Sequence, residues 1–201
     1  MQKPAQTAVS TGVAEPLDGA LGERAGAGMA SGNNILNAVL FQVNWFACVI
    51  GGMTDRLWIP ALILSLMLVL SARHTSRRHD MYLLITAAVV GLVLDSVWVQ
   101  LGILDFGSEG LAPVWIVMMW MGVALTVNHS LGWLQKYPLL GGLLAGVAAP
   151  LCYLGGESLG AVQVDMSGMP LISVSWLLLF SACFWWGRQW GPRRAVAEIG
   201  H

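Results

Sequence analysis

Six apolar runs divide the chain, and in the first of them polar residues recur at helical spacing. The third run, Met81 to Leu104, is long enough to cross a bilayer of ~30 Å and holds one carboxylate, Asp95. Before it lie Asn34 to Gly52 and Leu57 to Ala72; after it come Ala112 to about Leu134, Leu139 to about Leu154, and Pro170 to about Trp186. The second run is short, about 24 Å at ~1.5 Å per residue. On a helix, Asn34, Asn37, Phe41, Asn44 and Cys48 share one stripe, expected to face other helices because asparagine is costly against lipid. Gln42 points elsewhere and needs its own partner. In the fourth run, Trp115, Met118, Met119, Gly122, Thr126, His129 and Trp133 line one face, which reads as packing. In the fifth, Gly142 and Gly146, with Gly141 and Ala145, allow a second helix to come close.

The fold class predicted is all-α: a polytopic membrane protein, a bundle of about six transmembrane helices over residues 33–190. Residues 1–32 are rich in Ala, Gly, Ser and Thr without an apolar period, which predicts a disordered N-terminal tail and lacks the pattern of a signal peptide. Trp185, Trp186 and Trp190 read as an interfacial belt, followed by a C-terminal tail at 191–201.

Composition agrees with this class. The 201 residues are 56% hydrophobic and only 10% charged, with mean hydropathy +0.67. A water-facing surface needs about 25% charged residues. A net charge of −1 gives no footprint for nucleic acid. Cys48, Cys152 and Cys183 each lie inside an apolar run and have no metal-ligand or disulfide spacing.

The ten Lys and Arg residues set an orientation. With six crossings, all but Arg56 fall on one side, together with both termini, while Asp105, Glu109, Glu157 and Asp165 fall on the other. By the positive-inside rule both termini are expected in the cytoplasm, as in a bacterial inner-membrane protein.

Candidate chemistry is confined to polar residues at membrane depth. Asp95 is the sharpest, since a carboxylate in hydrocarbon must be neutralised, paired or hydrated. Its alternative is a structural aspartate bonded to neighbouring helices. His129, beside Asn128 and Ser130, has the chemistry of an acid, a base or a headgroup ligand, and equally of an interfacial hydrogen-bonded residue. Asp95 and His129 are the catalytic candidates. Asn37, Gln42, Asn44, Arg56, Gln100, Asn128, Tyr153 and Glu157 are the binding candidates. By depth they form two layers, with Asp95, Gln100 and Tyr153 toward the outer side and Asn37, Asn128 and His129 toward the cytoplasm. Arg56, carried inward by the short second run, is a candidate ion-pair partner for Asp95. No metal site, cofactor fingerprint, Walker loop or nucleophile motif is present, so neither metal nor cofactor is expected.

The segments NNILNAVLFQVNWFACVIGG, the third run with Asp95, APVWIVMMWMGVALTVNHSLGWLQ and APLCYLGGESLGA together resemble DUF2878, a family of small bacterial membrane proteins of unknown function. The resemblance covers roughly residues 33–187. It implies an inner-membrane protein with no assigned activity, encoded near enzymes that modify membrane fatty acids, and it carries over no catalytic residue.

Three function classes follow. One is an accessory protein in membrane-lipid or fatty-acid modification, whose partners are the bilayer and a lipid-modifying enzyme. The second is an intramembrane enzyme acting on a lipid substrate through Asp95 or His129. The third is a small transporter or channel, which needs a continuous polar path that two separate layers do not supply.

Overall fold

The structure, a computed structural model, describes residues 17–73, 77–108 and 110–198, with side chains from residue 32 to 189 among these. Six α-helices run in order: α1 Leu17–Met53, α2 Trp58–Ala72, α3 Arg77–Gln100, α4 Val114–Val127, α5 Pro138–Ser158 and α6 Met169–Glu198. Two-residue strands, β1 Leu104–Asp105 and β2 Gln163–Val164, and two short 3-10 turns complete the chain. Contacts divide it into residues 1–33 and 34–201. In the first unit the backbone is helical from Leu17, where a disordered tail to residue 32 is expected. Leu21, Glu23, Arg24 and the alanines favour helix there, against Gly19, Gly22, Gly26, Gly28 and Gly32. Residues 1–16, the rest of that tail, lie outside the described residues, as do 199–201. α6 continues through the expected C-terminal tail as far as Glu198.

Four helical stretches among the described residues are long and apolar enough to cross a membrane: Gly32–Met53, Arg77–Gln100, Pro138–Ser158 and Met166–Gln189. α2 and α4 are shorter, at 15 and 14 residues. Apolar side chains such as Ile35, Leu62, Val89, Val147 and Leu178 stand exposed on the bundle's outer surface, as lipid-facing positions do.

The shortest helix is the most enclosed. α4 buries Trp115, Ile116, Trp120, Gly122, Ala124, Leu125, Thr126 and Val127, which together cover every side of the helix. Glycine lets α3 approach it, because a Cβ on Gly91 would come within 2.2 Å of the Trp120 ring. The α5–α6 pair uses the anticipated glycine spacing. A Cβ on Gly142 would lie 2.0 Å from Ser181 Oγ, and one on Gly146 would lie 2.8 Å from the Ser173 carbonyl.

Two runs end earlier than their hydropathy suggests. α3 stops at Gln100, and Gly102 follows at φ +69°, a left-handed exit that glycine adopts without strain. α4 stops at Val127, where Asn128, His129 and Ser130 turn the chain into the 3-10 turn Gly132–Lys136. Polar side chains that bond locally or across to other elements compete with helix continuation there.

The connections after α3 and α5, expected as loops, pair as an antiparallel ladder, Leu104 with Val164 and Asp105 with Gln163. Asp165 N donates to the Ile103 carbonyl at 2.9 Å. Ile103 and Leu104 are buried beneath, so the ladder caps one end of the bundle.

Candidate functional site

The buried polar side chains gather mainly into two clusters, one toward each end of α3. They are ~22 Å apart along that helix, from Asp80 to Asp95.

The first cluster is centred on Asp80, in the first turn of α3. Asp80 is 2% exposed. His129 Nε2 lies 2.9 Å from its Oδ2, Asn128 Nδ2 donates to its Oδ1 at 2.8 Å, and the Ser71 hydroxyl from the end of α2 also donates to Oδ2. The network continues outward. Gln135 Nε2 donates to Asn128 Oδ1 at 3.0 Å and to the Val127 carbonyl at 3.1 Å. Asn37 of α1 donates to the Leu125 carbonyl at 3.0 Å and accepts from the Ser130 hydroxyl at 2.7 Å. These bonds satisfy the open carbonyl end of α4 and join α1, α2, α3 and α4 there.

The second cluster is centred on Asp95, which is fully buried. Trp120 Nε1 donates to Oδ2 at 2.6 Å, and the Tyr153 hydroxyl donates to Oδ1. Both donors come from helices flanking α3, so the carboxylate is held by side-chain donors alone. This corrects the expected Arg56 pairing. Arg56 stands exposed in the turn between α1 and α2, away from the carboxylate's two donors. Neutral donors closer at hand occupy both carboxylate oxygens.

The other candidates are dispersed. Gln42 is exposed on the outer face of α1. Asn44 is fully buried against Gly122, with no hydrogen-bond partner for its amide among the described residues. Gln100 donates to the Gly110 carbonyl at 2.6 Å, and Glu157 accepts from Val164 N at 3.0 Å. Both brace the capped end rather than either cluster. Among the described residues, no group of three or more His, Cys, Asp or Glu side chains comes together as a metal site would require.

The structure adds a feature that the residue pattern does not announce. A cavity of about 260 Å³ lies among α1, α4, α5 and α6. Phe41, Trp45 and Val49 line it from α1, Trp115, Met119, Trp120 and Val123 from α4, and Trp176, Phe180 and Phe184 from α6. Along α5 its wall runs from Gly141 to Gly156, ~22 Å of helix. Phe106 and Val162 mark the end beneath the ladder; Leu131, Trp133 and Leu134 mark the other. On α5, the lining residues Leu144, Ala148 and Cys152 reach the outer surface, so the cavity meets the lipid-facing side of the bundle at membrane depth. Trp120 and Tyr153, the two donors to Asp95, form part of its wall.

Asp80, Ser71, Trp120 and Gln135 escape a reading of the sequence. Asp80 follows a strongly basic connection and looks like a solvated helix end. A signal was present nonetheless: Asp80, Leu84, Gly91 and Asp95 recur on one face of α3, and that face is buried.

The fold and its sites define a helical membrane protein with two buried polar clusters and an aromatic-lined cavity. The family model described as a protein of unknown function, DUF2878, matches residues 34–182. The chain belongs to that family. No curated protein and no solved structure matches it.

Proposed function

We propose that the protein holds a single lipid chain within the membrane and acts in the handling or modification of membrane lipids as a binding or accessory protein. The observation that carries this is the long, narrow cavity, lined by aromatic and aliphatic side chains and reaching the lipid-facing surface of α5. At about 260 Å³ it sits just below the ~300–1,000 Å³ range of ordinary ligand sites, which suits a slender chain better than a bulky ring system. Its lateral reach suits a ligand that arrives from the bilayer.

A photoreactive fatty acyl probe tests the reading. Cross-links should map to α5 near Ala148 and to α1 near Trp45, and Ala148→Trp, which fills the mouth, should abolish them. Undiminished labelling of that variant would reject the cavity as the lipid site.

A second reading, an intramembrane enzyme, draws on the hydrogen-bonded Tyr153–Asp95 pair in and behind the cavity wall. A hydroxyl joined to a carboxylate at the edge of a lipid site has the connectivity for proton transfer. His129 belongs to the other cluster and is too far away to share a reacting atom with Asp95. Asp95→Asn separates the readings: an enzyme loses turnover while its lipid stays bound, whereas a binding protein keeps its cellular effect as long as it binds. A channel is disfavoured, because the two clusters are separated along the bundle and the cavity between them is apolar.

A further inference from the structure

The cavity offers a ligand almost no polar surface. The polar side chains toward its ladder end are spent on one another: Trp120 and Tyr153 donate to Asp95, and the buried Trp176 indole N–H is turned toward the Tyr153 oxygen. No Lys, Arg or His lines the wall, so a charged head inside it would be buried without a countercharge, which is costly in a low-dielectric site. A lipid seated here must place only its chain along the wall and keep its head outside. The end by the 3-10 turn Gly132–Lys136 leaves room for that, because Trp133 lines the cavity and is also 53% exposed.

Two cations flank that end. In a 3-10 turn, residues three apart lie over one another, so Lys136 follows Trp133 on the same face. On α6, Trp176, Phe180 and Phe184 line the cavity at intervals of four, and Arg188 continues that row ~6 Å beyond Phe184. The turn and α6 meet beside both cations, since a Cβ on Gly187 would lie 3.0 Å from Gln135 Cδ. Lys136 and Arg188 are themselves exposed. Among the described side chains, the one carboxylate at this end, Asp80, is buried within its own cluster, whereas Asp105, Glu157 and Asp165 stand exposed near the ladder end. We infer that the cavity takes a single-chain lipid with an anionic head: the chain lies along the apolar wall toward Tyr153, and a carboxylate or phosphate monoester stays outside, held by Lys136 and Arg188. This rests on the cavity being the lipid site.

The test uses the full-length protein in a non-ionic detergent and a bromine-substituted fatty acid, whose bromines quench the indoles around the cavity. Mildly alkaline buffer keeps the acid ionised and lysine charged. The unbrominated fatty acid, the monoalkyl phosphate, the alcohol and the alkylamine of equal chain length compete with it. At least one anion should compete about fivefold better than the alcohol, as two surface ion pairs of ordinary strength give, and the amine should compete worst. The stronger anion, carboxylate or phosphate, identifies the head. Lys136→Gln with Arg188→Gln should bring that anion down to the level of the alcohol and leave the alcohol unchanged. Arg77→Gln with Arg78→Gln, at the same end but on α3, which lends no residue to the wall, should leave the advantage intact. Anions no better than the alcohol, or an advantage that survives the first pair of changes or falls equally with the second, would overturn the anionic head and leave the cavity reading intact. Quenching and competition unchanged in Ala148→Trp would overturn both.

Discussion

The Tyr153 hydroxyl on α5 donates to Oδ1 of Asp95 on α3, while Trp120 of α4 holds the second carboxylate oxygen at 2.6 Å. One buried side chain thus ties three helices together. Tyr153→Phe and Asp95→Asn should each lower the thermal midpoint in detergent, and the double variant should cost less than their sum. A coupling of about 1–2 kcal/mol is expected for a shared bond inside a membrane bundle. Arg56→Gln combined with Asp95→Asn should be additive, because Arg56 is exposed and unconnected to the carboxylate. Additivity between Tyr153 and Asp95, or coupling to Arg56, would contradict the observed bonding.

The Asp80 cluster should matter more to stability. Asp80→Ala takes the acceptor from Asn128, His129 and the Ser71 hydroxyl at once. Stranding several buried polar groups should cost about 3–5 kcal/mol. Asp80→Asn keeps a side-chain oxygen as acceptor and should cost less. The check is apparent melting of both variants side by side. An Asp80→Ala protein that melts like the parent would show the cluster to be dispensable.

Legibility from sequence divided along physical lines. Apolar runs report where backbone must be satisfied within a helix, so the six helices could be read directly. The glycine spacing of α5 also read correctly as close packing, here against α6. Pairings across helices did not. Nothing local says that Asp80 meets Asn128 and His129, or that Tyr153, a binding candidate, and Trp120, which the residue pattern does not single out, converge on Asp95. The ladder was hidden because two-residue strands carry no alternation, and because Leu104 reads as the end of an apolar run. A cavity is a property of packing between elements, so no single run encodes it.

Close packing of α5 on α6 gives a sharp contrast between glycines. Gly142→Val should destabilise by about 1–3 kcal/mol or more, because its Cβ alone would lie 2.5 Å from the Leu177 carbonyl as well as against Ser181. Gly102→Ala places its Cβ in open space and meets only the strain of φ +69°, about 1 kcal/mol. Comparing their melting shifts checks the assignment; a larger loss at Gly102 would put the tight interface elsewhere.

Orientation is open to direct measurement. Arg73, Arg77, Arg78, Lys136 and Arg188 lie near one end of the bundle, with Arg56 and the ladder at the other. Six crossings and the positive-inside rule then place fusions after Arg194 in the cytoplasm, and fusions near Ser108 and Gln163 outside. A reporter active outside the membrane when fused after Arg194 would rule out the even number of crossings.

The capped end carries a proton-linked contact. Asp165 accepts from the Ser167 hydroxyl at 2.6 Å and from the Ser167 backbone N–H at 3.0 Å, and these bonds hold its carboxyl below the usual aspartate range. A depressed value means that the charged form is favoured in the folded chain. Its contribution is therefore fully present above the unfolded aspartate value and is lost as pH falls through the lowered folded value. The side chain is exposed, so the effect is local rather than global. Hydrogen exchange at the Ser167 and Asp165 amides should quicken, relative to the intrinsic rate, as acid protonates Asp165. Asp165→Asn keeps an acceptor oxygen that does not titrate, and its amides should not show this acid-dependent loss of protection. The same loss in both proteins would assign the acid response to another group at that end.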